Sequence, residues 1–133
     1  MLRFCVAGAA GRMGNAIITE ATAKGHVIAG AMEAPNTPCV GKSLRELGIA
    51  NSDTKILSSD RLSEAVRDAN VYVSFTVPVA EVKNIPIVAN LGKRIILGTT
   101  GFNPEQNQQV VAAMSGKVPS VFSPNYSVGV NIL

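Results

Sequence analysis

Short runs of apolar and β-branched residues alternate along this chain with segments of helical period, and few folds other than a parallel sheet with helical crossovers accept that alternation. Residues 2–7 are apolar apart from Arg3 and end at Gly8, as in a central strand buried on both faces. Residues 12–24 turn helical, with Met13, Ile17 and Ala21 on one stripe and Gly25 as the stop. Further strands are expected at residues 26–32, 55–57 (a short edge strand), 71–75, 94–97 and 118–122. Between them, residues 61–69 carry Leu62, Ala65, Val66 and Ala69 on one helix face. Residues 79–91 have helical spacing but contain Pro86, which is expected to kink or divide that helix. Asn103-Pro104-Glu105 opens a last helix, to about Ser115, with a cap, a first-position proline and a first-turn acid. In the polar loop that follows the second strand, Ser43 and Glu46 have capping-box spacing, and a helical turn is expected at residues 44–47.

A chain of 133 residues fits a single domain with one core. Its 12 Lys and Arg against 9 Asp and Glu give a net charge of +3 with no basic run, which offers little support for a nucleic-acid partner. No stretch approaches the ~18 apolar residues of a membrane span, and the N-terminus lacks a signal peptide's order of regions. Cys5 sits in a strand pattern and Cys39 in a loop with no nearby histidine or basic run, so Cys39 is assigned no chemistry and a reduced, cytoplasmic protein is expected. His26, at a strand start, reads as structural, and no spacing of His, Cys and carboxylates suggests a metal.

Chemistry concentrates in the glycine-rich segment that joins the first strand to the first helix. Gly8, Ala9, Ala10, Gly11, Arg12, Met13 and Gly14 form G-x-x-G-x-x-G: Gly8 for the turn, Gly11 for close approach of a pyrophosphate, Gly14 for packing of helix on sheet. The helix N-terminus adds free amides and partial positive charge. The same glycines can serve only a tight turn, but Glu33 closes the second strand 33 − 14 = 19 residues after the last glycine, near the ~20 expected of the acid that binds an adenosine ribose. Loop and acid together point to a nicotinamide dinucleotide on a Rossmann-like, doubly wound α/β sheet. A carboxylate pairs with a 2′-hydroxyl and repels a 2′-phosphate, so NADH is favoured over NADPH. Arg12 stands open between reaching a 2′-phosphate and lying solvated. Gly98, Thr99 and Thr100 follow a strand end, where their amides and hydroxyls suit a nicotinamide ribose or amide, or a simple polar turn. Phe75 and Thr76 end another strand; Phe75 reads equally as pocket wall or core.

With Gly11-Arg-Met-Gly14, Phe75-Thr-Val-Pro78, Gly98-Thr-Thr-Gly-Phe102 and Ser123-Pro-Asn-Tyr-Ser-Val-Gly-Val-Asn131, the chain resembles the dihydrodipicolinate (4-hydroxy-tetrahydrodipicolinate) reductases of lysine and diaminopimelate biosynthesis, over its whole length. The resemblance implies an N-terminal cofactor domain in which residues 8–13, Glu33, residues 98–100 and Ser123, Pro124, Asn125 and Tyr126 line the NAD(P)H site, with Thr100 also facing a dicarboxylate substrate. It implies too that the paired histidines, catalytic lysine and Ser-Gly-Thr loop belong to a second domain after residue 133, that no catalytic residue lies in this chain, and that the complete enzyme is a homotetramer. Two departures stand out. Ala34 replaces the basic neighbour common in NADPH users, and Ser74 stands where Asp is common. The expected division is a cofactor domain over residues 1–126 and the start of a connection over 127–133, where Val128, Val130, Ile132 and Leu133 form an apolar patch expected to promote association. The rival reading is a non-catalytic regulatory or redox-sensing nucleotide module.

Overall fold

The computed structural model describes residues 1–122; Ser123, Pro124, Asn125, Tyr126 and the apolar segment after them lie outside the described residues. Six strands, β1 (Arg3–Ala7), β2 (Val27–Glu33), β3 (Ile56–Ser58), β4 (Val71–Ser74), β5 (Arg94–Leu97) and β6 (Ser120–Phe122), form one sheet in the order β3-β2-β1-β4-β5-β6. Every neighbouring pair is parallel. The helices are α1 (Arg12–Ala23), α2 (Leu62–Val66), α3 (Pro78–Asn90) and α4 (Pro104–Met114).

Alternation along β1 divides the core. Phe4 and Val6 face α1, packing with Ile17, Ile18 and Ala21 and with Leu44 of the long loop after β2. Cys5 and Ala7 face the other layer, where Leu62, Val66, Ile85, Val88, Val110 and Met114 come from α2, α3 and α4. The crossovers thus change face where the chain moves from β1 outward to β2 and β3, and then from β1's other side to β4, β5 and β6. In a doubly wound sheet the crevice at that reversal, outside the carboxyl ends of β1 and β4, is where ligands bind.

Ser43 and Glu46 exchange their reciprocal bonds, each 3.0 Å, and Leu47 N donates to Ser43 O at 3.2 Å, so the expected helical turn forms; Leu44 in the core and Leu44 N donating to Thr54 O hold it in place. Two other local expectations are corrected. The α2 helix stops at Val66, short of Ala69, where Arg67 N and Ala69 N close tight turns onto Glu64 O and Val66 O. Pro86 does not divide α3, which runs unbroken. An interior proline costs ~3 kcal/mol, but Ile85 and Val88 are fully buried on either side of it, and burying side chains of this kind returns roughly 1.5–3 kcal/mol each.

His26 is structural, as expected. Its Nδ1 accepts from Leu2 N at 3.0 Å and its ring meets Phe4 edge to face at 5.4 Å. Cys5 is fully buried, and burial, reinforced by the nearby Glu81 charge, pushes its thiol up to about 12; Cys39, half-buried, is pushed upward first by desolvation and then by Glu33. At pH 8 a thiol of pKa ~12 is thiolate in only about one molecule in 10⁴. In the native protein a thiol reagent such as Ellman's is therefore expected to label Cys39 alone, with Cys5 reacting only as urea unfolds the chain. Equal labelling of both thiols in buffer would show that Cys5 is not where the packing puts it.

Candidate functional site

At the reversal lies a cleft of about 850 Å³, lined by Gly8 and Gly11 from the first loop, Met32 and Glu33 from β2, Phe75 and Thr76 after β4, and a wall of α3. Backbone hydrogen bonds set its floor. Gly8 N and Ala9 N both donate to Met32 O, at 3.0 and 3.2 Å, and Phe75 N donates to Ala7 O at 3.1 Å, so the three strand ends are locked side by side.

Gly8 and Gly14 serve the turn and the packing that their spacing predicts. Gly8 has φ +82°, and a Cβ there would lie 2.4 Å from Phe75 O. At Gly14 a Cβ would lie 2.0 Å from Gly8 O, so only glycine lets α1 pack this tightly on the loop. Gly11 differs: its nearest obstacle is Gly8 O at 3.4 Å, and it is exposed at the head of α1, which has neither a side-chain cap nor an acid in its first turn. Unopposed amides beside an open glycine suit an anion such as pyrophosphate. Glu33 stands at the carboxyl end of β2 in the same cleft, and its Oε2 accepts from Ala10 N at 2.8 Å. An uncapped helix start and a carboxylate with one oxygen already engaged therefore share one cleft.

Not every predicted residue faces the cleft. Ala9 is buried, its amide spent on Met32 O. Thr99 is also buried; its Oγ1 accepts from Thr76 N at 2.9 Å and lies 3.2 Å from Ser74 Oγ. The expectation that both hydroxyls of the Gly98 loop serve a ligand is therefore corrected: the Thr99 hydroxyl joins the β4 and β5 loops, while Thr100 is half-buried. Ala10 and Arg12 are exposed and Met13 half-buried, none of them on the cleft lining. Phe75 is wall and core at once: it lines the cleft while its ring fills the space where Gly98 would carry a Cβ, 2.2 Å away.

Sequence reasoning missed the opposite walls. One is α3, where Val79, Lys83 and Ile87 recur every four residues along the cleft; two exposed apolar side chains at helical spacing were the available signal. The other begins with the 3-10 turn Ser59–Arg61, whose Arg61 pairs with Glu64 at 2.6 Å at the cleft edge. Beneath α3 sits Glu81, fully buried, accepting from Tyr72, Thr76 and Asn84. Burial pushes its carboxyl above the ordinary range, against the pull of those hydrogen bonds. Among the described residues no group of three or more His, Cys, Asp or Glu gathers as a metal site, and no helix is long and apolar enough to cross a membrane.

Strand order, glycine loop and acid together define a dinucleotide-binding α/β domain of the Rossmann type. The chain belongs to the dihydrodipicolinate reductase family: the model described as dihydrodipicolinate reductase, N-terminus, matches residues 2–126. It is 37% identical to the 4-hydroxy-tetrahydrodipicolinate reductase of Trichlorobacter lovleyi over 99% of this chain and 49% of that protein. Against the enzyme of the same name from Aromatoleum aromaticum it is 39% identical, over 98% of this chain and 46% of that protein. The chain thus spans about half the length of the curated relatives it matches. Among solved structures, the dipicolinate-bound dihydrodipicolinate reductase from Paenisporosarcina sp. TG-14 superposes with a TM-score of 0.71 at 20% identity, over 96% of this chain and 49% of that one. An aspartate semialdehyde dehydrogenase from Vibrio cholerae shares the fold at a TM-score of 0.63 and 14% identity, over 90% of this chain and 41% of its own.

Proposed function

We propose that this chain holds the nicotinamide dinucleotide for a cytoplasmic reductase that acts on a dihydrodipicolinate-type cyclic dicarboxylate in lysine and diaminopimelate biosynthesis. The observation that carries the proposal is the open Gly11 at an uncapped helix start, facing the same cleft as Glu33. When bound, the cofactor supplies hydride chemistry at its nicotinamide ring. The residues of this chain bind and orient. The first-turn amides of α1 hold the pyrophosphate, the Glu33 carboxylate takes ribose hydroxyls, and Phe75 and Thr76 flank the ligand at the end of β4. The Gly98–Thr100 loop, with Ser123, Pro124, Asn125 and Tyr126, completes the nicotinamide end, and Thr100 faces the substrate. Catalytic groups come from the remainder of the protein, which assembles as a homotetramer. Glu33 followed by Ala34 favours NADH.

Calorimetry on this chain tests the cofactor role: NADH is expected to bind at least as tightly as NADPH. A steady-state assay tests the division of labour, since the full-length protein is expected to oxidise NADH in the presence of the dihydrodipicolinate substrate while residues 1–133 alone are not. Substantial turnover by the short chain would overturn that division, and absence of any dinucleotide binding would favour a module of another kind.

A further inference from the structure

Glu81 projects from the first turn of α3 into the interior, and none of the ion pairs among the described residues includes it. Its oxygens instead collect hydrogen donors. Tyr72 Oη lies 2.9 and 3.2 Å from the two oxygens, Asn84 Nδ2 3.3 Å from Oε2, and Thr76 Oγ1 2.5 Å from the same oxygen. Tyr72 is buried and Asn84 nearly so, and their bonds fasten α3 to β4. Thr76 is different, because it is half-buried and lines the cleft. Its amide is held by Thr99 Oγ1 at 2.9 Å, and its hydroxyl is held by Glu81, the next acceptor, Val77 O, being 3.5 Å away.

A hydroxyl has one proton and two lone pairs, and a carboxylate only accepts. We propose that Glu81 is a positioning residue for the cofactor: by taking the Thr76 proton it leaves that side chain presenting acceptor lone pairs to the cleft, to receive a hydrogen donor on the nicotinamide half of the dinucleotide. This rests on the reading of the cleft as a dinucleotide site. The half is set by topology. Glu33, on β2, lies to one side of the reversal, whereas Thr76 follows β4 on the other and is tied to the Gly98–Thr100 loop after β5. Its methyl carbon also lies within 3.4 Å of where Gly8 would carry a Cβ, so the side chain borders the pyrophosphate loop. An acceptor-only oxygen there refuses a phosphate and welcomes a ribose hydroxyl or the carboxamide amine.

Calorimetry with NADH, ADP-ribose and ADP on the wild-type chain, E81M, T76V and T76S tests this. A glutamine at 81 would keep an oxygen between Thr76 and Asn84, both of which donate to the same carboxylate oxygen, whereas methionine removes the acceptor and frees the Thr76 proton to turn outward. E81M and T76V are each expected to lose about five- to thirty-fold in NADH affinity, the scale of one hydrogen bond, with ADP changed less than twofold and T76S close to wild type. The E81M/T76V double variant is expected to lose no more than the worse single one. A loss shared by ADP-ribose assigns the donor to the ribose, and a loss confined to NADH assigns it to the carboxamide; both support the proposal. Unchanged NADH affinity in T76V overturns it whether or not E81M folds. So does an E81M protein with a lowered melting midpoint but wild-type affinity, or an equal loss for ADP. Wild-type protein that binds no dinucleotide removes the functional reading itself, visibly, before any variant is made.

Discussion

Gly14→Ala is expected to cost about 3 kcal/mol of stability, at the upper end of the range for forcing atoms into a packed interior. The added carbon would stand 2.0 Å from Gly8 O, 2.8 Å from Gly8 C and 2.9 Å from Ala9 Cα. All three are backbone atoms in a loop pinned by Gly8 N and Ala9 N to Met32 O, so no side chain can rotate away. Relief requires α1 to lift, which uncovers Ile17, Ile18 and Ala21, all fully buried. The helix-propensity gain of alanine over glycine, up to ~1 kcal/mol, is too small to compensate. Gly11→Ala is the control. Its Cβ meets only Gly8 O, at 3.4 Å, so the change is expected to shift stability by less than about 1 kcal/mol while filling the space proposed for the pyrophosphate. Urea titrations followed by far-ultraviolet circular dichroism separate the two. Equal midpoints for Gly14→Ala and wild type would show that the contact between loop and helix is not tight.

The alternation of strand and helix was legible because periodicity is a property of neighbouring residues. Parallel strands buried on both faces are apolar in their interiors, and β1, β4 and β5 are, with Arg3, Ser74 and Arg94 only at their ends. The glycine loop and Glu33 were legible for a related reason: a strand, a turn and a helix start are contiguous, and the acid needs only the next strand to pair alongside. What the chain does not display locally is where a side chain points once distant segments meet. Thr99 and Thr100 are the same residue type in one loop, yet Thr99 turns inward to Ser74 and Thr76, 25 and 23 positions away. Glu81 looks like an ordinary first-turn acid, favourable to the helix dipole. Its burial depends on Tyr72 in β4, and no period couples those two positions. Pro86 failed as a breaker by the same logic, since a local rule worth ~3 kcal/mol yielded to packing supplied by the sheet.

In the proposed reading, cofactor choice turns on a balance of charges around the cleft, where cations stand near both the β2 end and α3. Arg12 and Lys42 are exposed and lie off the lining, whereas Arg61 and Lys83 lie on it. Arg61 is engaged with Glu64, at 3.2 Å from Nε and 2.6 Å from Nη2, whereas Glu33 stands at the strand end as the proposed determinant.

Glu33→Ala is therefore expected to weaken NADH binding by about 1–3 kcal/mol, the scale of a lost hydrogen bond to a charged group. The same substitution removes the carboxylate that repels a 2′-phosphate, so NADPH is expected to lose little or to gain, and the preference between the two to move about tenfold toward NADPH. The free protein adds a second effect. Glu33 Oε2 already accepts from Ala10 N at 2.8 Å, which steadies the tip of the glycine loop with its other oxygen left for the ribose. Glu33→Gln separates the two contributions, because its amide oxygen can still accept from Ala10 N while the charge is gone: NADH affinity is expected to fall less than in Glu33→Ala, but the shift toward NADPH to persist. Calorimetry with both cofactors on the three proteins measures this. If wild type prefers NADPH strongly and Glu33→Ala leaves that preference untouched, then Arg61 or Lys83, and not the acid at the end of β2, reads the ribose.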